Sequence, residues 1–171
     1  MSHAKNKVDW CLNKAKKELE KSNKHRGLVK SQPNLELAQE HIKKAEHNLR
    51  ATIYLKQGGY SDWCSSSLFY MIYHCFLAIL QKFGYETRNQ ECTFAVIQSL
   101  IEENKIVIEQ KDFDKISLLK PNEAQESSTI VSIREHYQYS TKVTLENKEY
   151  EELLDLAKKI LDNTKNIIEE K

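Results

Sequence analysis

The sequence predicts an all-α protein, an antiparallel bundle of four to five main helices with short accessory helices. Three observations predict it. Breakers are scarce, with 4 Gly and 2 Pro in 171 residues, too few for the turns of a sheet protein this long. Helix-forming Lys, Glu, Leu and Ala abound. Apolar residues recur three and four apart over long stretches, the period of an amphipathic helix. The length suits one domain with a single sizeable core. Within it, residues 1–34 read as an N-terminal amphipathic helix and connector, and residues 35–171 as the bundle proper.

The first helix covers residues 4–25, with Val8, Leu12, Ala15 and Leu19 on one face. "HRGLVKSQPN", residues 25–34, is a connector. Asn34 is placed to cap the second helix, whose stripe is Leu35, Ala38, Ile42, Ala45, Leu49 and Ile53, and Gly58-Gly59 stops it. The third begins near Ser61 or Asp62, either a suitable cap, and runs to Gly84. From Leu68 to Leu80 its one strongly polar side chain is His74. A helix apolar nearly all round is surrounded by others, so Leu68, Ile72, Cys75, Phe76, Ile79 and Leu80 are expected to be buried. The run falls short of the ~20 residues of a membrane span.

A fourth helix is expected over Thr87–Asn104, with Phe94, Ile97, Leu100 and Ile101 inward. A short helix follows and ends before Pro121, because the residue before proline disfavours the helical region. Glu123 to about Val143 reads as helix. The last helix, capped by Thr144 or Asn147, carries Tyr150, Leu153, Leu154, Ala157, Ile160, Leu161 and Ile167 on its stripe.

Net charge is only +1, so no global field draws the chain to nucleic acid. The charge is uneven, however. Residues 1–50 hold 12 Lys/Arg against 6 Asp/Glu, and residues 101–171 hold 11 against 16. The basic end is either the polar face of a helix or a surface for phosphate or an acidic partner. Cys11, Cys64, Cys75 and Cys92 form no CxxC pair, which argues against a structural zinc site. They read as free, core-like cysteines. With a polar, lysine-rich N-terminus, that points to a reducing cytoplasm.

Chemistry in the third helix is limited by geometry. His74 and Cys75 are neighbours whose side chains diverge by about 100°, so they form no nucleophile–base pair. No His has Glu three positions before it, and there is no HExxH, EF-hand or Gly-rich phosphate loop. Neither metal nor cofactor is expected. The remaining polar concentration is "SIREHYQYSTKV", residues 132–143. Arg134 and Tyr137 lie on one helical face, with Tyr139 beyond them. An Arg beside Tyr side chains holds a phosphate while the phenols donate hydrogen bonds or stack on a base. The alternative is an Arg paired with a Glu of another helix.

The stretch "LAQEHIKKAEHNLRATIYLKQGGYSDWCSSSLFYMIYHCFLAILQKFGY" resembles the opening of stand-alone prokaryotic HEPN domains. There a helix with "kA..nL" is followed by a Gly/Tyr turn and a "YYxxFHxxxALL…G" helix. Phe69-Tyr70 stands at the paired aromatics, Tyr73-His74 at the "FH", and Ala78 to Gly84 at "ALL…G". "NQECTFAVIQSLIEENKI" is similar to the next helix, and "IREHYQYSTKV" to the "R…DY" signature. The resemblance spans roughly residues 35–168.

It implies a helical bundle, often a homodimer, in a family linked to nucleotides and RNA. Many members are ribonuclease toxins paired with a nucleotidyltransferase-like protein. In those nucleases four to six residues separate an Arg from a following His. After Arg134 the positions where that His should fall are Tyr139, Ser140 and Thr141, and His136 comes too early. The resemblance therefore implies a non-catalytic protein that binds nucleotide, RNA or a protein partner through Arg134, Tyr137, Tyr139, Tyr70 and His74. A metal-independent nuclease using Arg134 with His136, and an adaptor binding protein through Glu151 and Glu152, are the alternatives. A Tyr hydroxyl from residues 137–139 is the expected partner of His74.

Overall fold

In chain order the elements are α1 (His3–Ser22), β1 (Leu28–Lys30), α2 (Leu35–Gln57), α3 (Ser61–Lys82), β2 (Tyr85–Thr87), α4 (Gln90–Glu102), α5 (Gln110–Ile116), α6 (Ile130–Tyr139) and α7 (Asn147–Glu169). This computed structural model describes residues 2–117 and 129–170. With 75% of the described residues in helix and a single two-stranded ribbon among them, the chain is the all-α bundle expected from its composition and stripes.

α3 lies at the centre. It packs along α2, to which a three-residue turn joins it, and against α4, α6 and α7. Leu68, Ile72, Cys75, Phe76, Ile79 and Leu80 are all 1% exposed or less, as its all-round apolarity requires. Phe76 meets Phe94 edge-on at 6.0 Å and Phe113 at 6.1 Å between ring centroids, joining α3 to α4 and α5. Contrary to the run-length argument, the whole of α3 is long and apolar enough to cross a membrane. Most of it is instead buried by its neighbours.

α7 buries its whole expected stripe and adds Leu156, Thr164 and Ile168. At its far end the Lys82 ammonium donates to the carbonyls of Ile167 and Glu170. These are among the acceptors that a helix C-terminus leaves open. α2 departs from its expected stripe at both ends. Leu35 and Ile53 are exposed, and Thr52 is the residue buried beside α3. The Thr52 hydroxyl donates to the Asn48 carbonyl at 2.8 Å and meets Ser67 Oγ at 2.6 Å. Those bonds satisfy the hydroxyl and remove the cost of burying it.

The caps divide. Asn34 Oδ1 accepts from the Leu37 N–H at 2.9 Å, as expected. At α3 neither Ser61 nor Asp62 caps. Tyr60 occupies that position, and Ser61 Oγ instead accepts from the Leu145 N–H at 3.0 Å, holding the approach to α7. α7 begins after Glu146 with no side-chain cap, so Thr144 and Asn147 do not serve.

Two short strands were not anticipated. β1 lies in the expected connector, and β2 takes the expected start of the fourth helix, pairing antiparallel with Leu28 opposite Thr87. α4 accordingly starts later, at Gln90, where Asn89 Oδ1 accepts from the Cys92 N–H at 3.0 Å. Gly84 opens the ribbon with φ +70°, and a Cβ there would stand 2.7 Å from the Ser31 carbonyl oxygen. Both its left-handed backbone and that close approach require glycine.

The cysteines also need correction. Cys11 and Cys92 form a disulfide, which fastens α1 to α4, so the inference of four free thiols fails. Cys64 and Cys75 are free and buried. Burial pushes their thiols up to about 11 and about 12, so both behave as small apolar groups. Residues 1–34 are thereby integrated with the bundle through both the disulfide and the ribbon.

The short helix after α4 is α5, which stops at Ile116; its expected end before Pro121 lies outside the described residues. The helix expected over 123–143 is described from Thr129 onward. Thr129 Oγ1 caps α6 by accepting from the Ser132 N–H at 3.2 Å, and the helix ends at Tyr139, short of Val143.

Phe76→Ala should destabilise the protein by about 3–5 kcal/mol, because the cavity opens against the two remaining rings, Phe94 and Phe113. Urea unfolding of the two proteins would measure this, and unchanged midpoints would show that α3 is not the centre of the core.

Candidate functional site

α6 crosses the outer part of α3 and carries Arg134 onto it. The guanidinium carbon lies 4.3 Å from the centroid of the Phe69 ring. Phe69 is itself 2% exposed, stacked on Tyr73 at 5.8 Å and edge-on to Tyr70 at 5.2 Å. The Arg134 side chain is only 14% exposed, and its one ion pair, at 3.1 Å, is with the adjoining Glu135. Its buried Nε has no hydrogen-bond partner among the described residues. Within the described residues no carboxylate of another helix pairs with this cation. A guanidinium offers five donors in a planar fork. Here most of that fork is held against aromatic carbon, and its one carboxylate partner belongs to a half-exposed side chain.

The other residues singled out in the sequence occupy different settings. Tyr70 is half-exposed on the outer face of α3. Tyr137 lines a groove with Asp62, Trp63, Ser66, Thr141 and Val143. Its hydroxyl donates to Glu149 Oε2 at 3.2 Å, and burial, followed by the Glu149 charge, raises its pKa. Tyr139 is 80% exposed and stands in the open at the end of α6. His136 is exposed and meets Tyr137 edge-on at 5.4 Å.

His74 does not bond a tyrosine of α6. Its Nδ1 lies 3.0 Å from Nδ1 of His41 on α2, so one ring donates and the other accepts. Burial chiefly, then the nearby His41 and Lys44 charges, lowers the His74 pKa to about 4. Burial also lowers that of His41, against the opposing effect of Glu40. Tyr73 turns to the other side, toward Thr93 Oγ1 at 3.3 Å.

The arrangement suits anion binding better than acid–base catalysis. Arg134 supplies a fixed, charge-assisted donor set. The two histidines near α3 are occupied with each other, and burial favours their neutral forms. Sequence reasoning missed Phe69 as the platform for Arg134, Glu135 and Glu149 as partners, and His41 as the partner of His74. His41 directly precedes Ile42 of the α2 stripe. That was the one available signal that it borders the α2–α3 seam.

Among the described residues no group of three or more His, Cys, Asp or Glu could hold a metal ion. No protein-family model matches the chain, and no curated protein is significantly similar to it.

The histidine pair makes stability depend on pH. The unfolded chain takes up protons as pH falls below about 6.5, whereas folded His74 resists protonation until about 4. Stability should therefore fall as pH drops through that window. The loss should be on the order of 1 kcal/mol, since the half-buried site is screened by solvent. A His41→Gln/His74→Gln variant should show a shallower decline in urea midpoint from neutral pH to about pH 4.5. Equal declines in the two proteins would refute the assignment.

Proposed function

We propose that the protein is a non-catalytic binding module resembling HEPN proteins, which takes the phosphate of a nucleotide or RNA at Arg134. One observation carries this reading: an enclosed guanidinium stacked on Phe69 that has, among the described residues, no partner for Nε and no carboxylate except its own neighbour. Burying such a cation is costly unless it is paired, and an incoming phosphate oxygen supplies the missing acceptor. Glu135 lies at the solvent edge and competes with that anion. Tyr70, half-exposed and edge-on to Phe69, offers a ring to the remainder of the ligand, whereas the Tyr137 hydroxyl is engaged with Glu149 in a neighbouring groove. His136 is exposed, beside Tyr137 rather than Phe69, which supports binding without cleavage.

A second reading concerns a protein partner. Trp63 and Tyr70 are 60% and 48% exposed and sit seven residues apart, on one face of α3. A second copy of the chain would cover them as a two-fold dimer. The same face could serve the nucleotidyltransferase-like partner that the family resemblance suggests. Light scattering at micromolar concentration should give a dimeric mass, and a monomeric one would remove the two-fold reading.

For the ligand site, Arg134→Ala should weaken binding of adenosine nucleotides or a short oligouridylate by about 1.5–3 kcal/mol. Lys at the same position should restore only part, because the planar fork is lost. Glu135→Gln should instead tighten binding, since it removes the competing carboxylate. Calorimetric titration would measure all four proteins, and the oligouridylate should emerge uncut. Equal affinities for wild type and Arg134→Ala would exclude this site.

A further inference from the structure

The polar face of α1 is absorbed neither by the core nor by the Arg134 site. Its inner face is committed: Ala4, Val8, Cys11 and Ala15 are buried, and Cys11 is bonded to Cys92 of α4. Its outer face carries Trp10, which is 50% exposed. At 100° per residue, Lys14, Lys17 and Lys21 project within about 40° of the Trp10 direction, and Lys7 within about 60°. The ammonium groups of Lys7 and Lys14 lie 4.6 and 5.0 Å from the indole centroid. Trp10, Lys14, Lys17 and Lys21 line one shallow groove together with Asn13 and Glu18.

These lysines differ from four of the bundle, although Lys43, Lys44, Lys115 and Lys158 likewise form no ion pair among the described residues. Lys105, Lys111, Lys159 and Lys165 each have a carboxylate within 2.7 Å. Of the α1 stripe only Lys7 is paired, with Glu91 at 2.9 Å. Among the described residues, no carboxylate forms an ion pair with Lys14, Lys17 or Lys21. Glu18, the acidic residue in the groove, accepts from the Arg26 backbone N–H at 2.7 Å.

We infer that this stripe is a docking surface for single-stranded nucleic acid. A base stacks on the Trp10 indole, and the phosphates on either side of it reach Lys7 and Lys14. Lys17 and Lys21 continue the track toward the end of the helix. From Lys7 to Lys21 the stripe is about 21 Å long at 1.5 Å per residue, enough for about six strand charges at ~3.4 Å each. A repeating polyanion with exposed flat faces matches both features: the unpaired cations Lys14, Lys17 and Lys21 on successive turns, and a half-exposed indole from which the Lys7 and Lys14 ammonium groups can swing to phosphates. An anionic bilayer matches less well. The apolar side of α1 is packed inward and fastened by the disulfide, so the helix cannot turn that side to lipid. An acidic protein surface would use the lysines but not the stacking face of Trp10.

The inference is independent of Arg134 and is tested with the full chain. The probes are a fluorescein-labelled twelve-nucleotide oligothymidylate, read by anisotropy, and vesicles containing phosphatidylserine. The oligonucleotide should bind, with a log–log salt slope of about −3 for four lysines. Trp10→Ala should weaken binding roughly tenfold with the slope kept, and Trp10→Phe should retain most of the affinity. Lys14→Glu/Lys17→Glu/Lys21→Glu should weaken it more than tenfold and flatten the slope. All these positions are on the surface, so circular dichroism should be unchanged. The Trp10 and lysine variants are also titrated in the Arg134→Ala background, where the losses they cause should persist in full, which separates failure here from failure of the Arg134 site. Affinity insensitive to both Trp10→Ala and the triple substitution would overturn the inference. So would binding to the vesicles without binding to the oligonucleotide.

Discussion

The structure depends on the need to surround α3. Its side chains are apolar in nearly every direction, and exposing them would forfeit roughly 25 cal/mol for each Å² of apolar surface. α2, α4, α6 and α7 are arranged to prevent that. The strip of α3 they leave open carries Trp63, Ser66, Tyr70, Tyr73, His74 and Leu77, of which Leu77 alone is aliphatic. The site proposed at Arg134 is a consequence of this packing. α6 must cover Phe69 to complete the enclosure, and in doing so it lays the guanidinium on the ring. The same contact that closes the core leaves a cation enclosed without a full set of acceptors.

Polar groups near this core are satisfied by small local pairings rather than by an extended network. Thr52 is bonded to Asn48 and Ser67, Thr164 Oγ1 donates to the Ile160 carbonyl at 2.7 Å, and His41 faces His74. Each pairing removes the penalty of a buried donor or acceptor and leaves the surrounding contacts apolar. Among the described residues, His25 Nδ1, Asp112 Oδ2 and Arg134 Nε are the buried side-chain atoms without a hydrogen bond. Asp112 has the Lys159 ammonium at 2.7 Å to offset its charge, whereas the guanidinium of Arg134 has only the adjoining Glu135.

The N-terminal helix follows different rules. α1 contributes small residues inward, Ala4, Val8, Cys11 and Ala15, and is held to α4 by a covalent bond as well as by packing. The ribbon beside it places Gly84 against Ser31, where no side chain fits. α1 is therefore a fixed platform with a cationic outer face, whereas the acidic C-terminal half spends many of its carboxylates on internal partners. Glu109 pairs with both Lys111 and Lys159, which hold its carboxyl at about 2. The uneven charge seen along the sequence thus has two outcomes: largely free lysines on α1 and paired charges around α5 and α7.

The sequence by itself determined the helical class and the buried faces of α3 and α7, because those depend on local periodicity and on the scarcity of breakers. It also marked Asn34 as a cap, since an Asn just before an apolar stripe satisfies an open N–H within the same turn. Only the tertiary structure decided the rest. The ribbon pairs Leu28 with Thr87, and the disulfide joins Cys11 to Cys92, across separations that no local pattern encodes. Ser61 looked like a cap and became the anchor of Leu145 for the same reason: its partner lies 84 residues away. Arg134, Tyr137 and Tyr139 were legible as a polar concentration. Their division among an aromatic platform, a Glu149 contact and open solvent was not. That division depends on where α6 lands on α3, and two helices meeting face to face choose their contacts by shape, which a one-dimensional pattern does not contain.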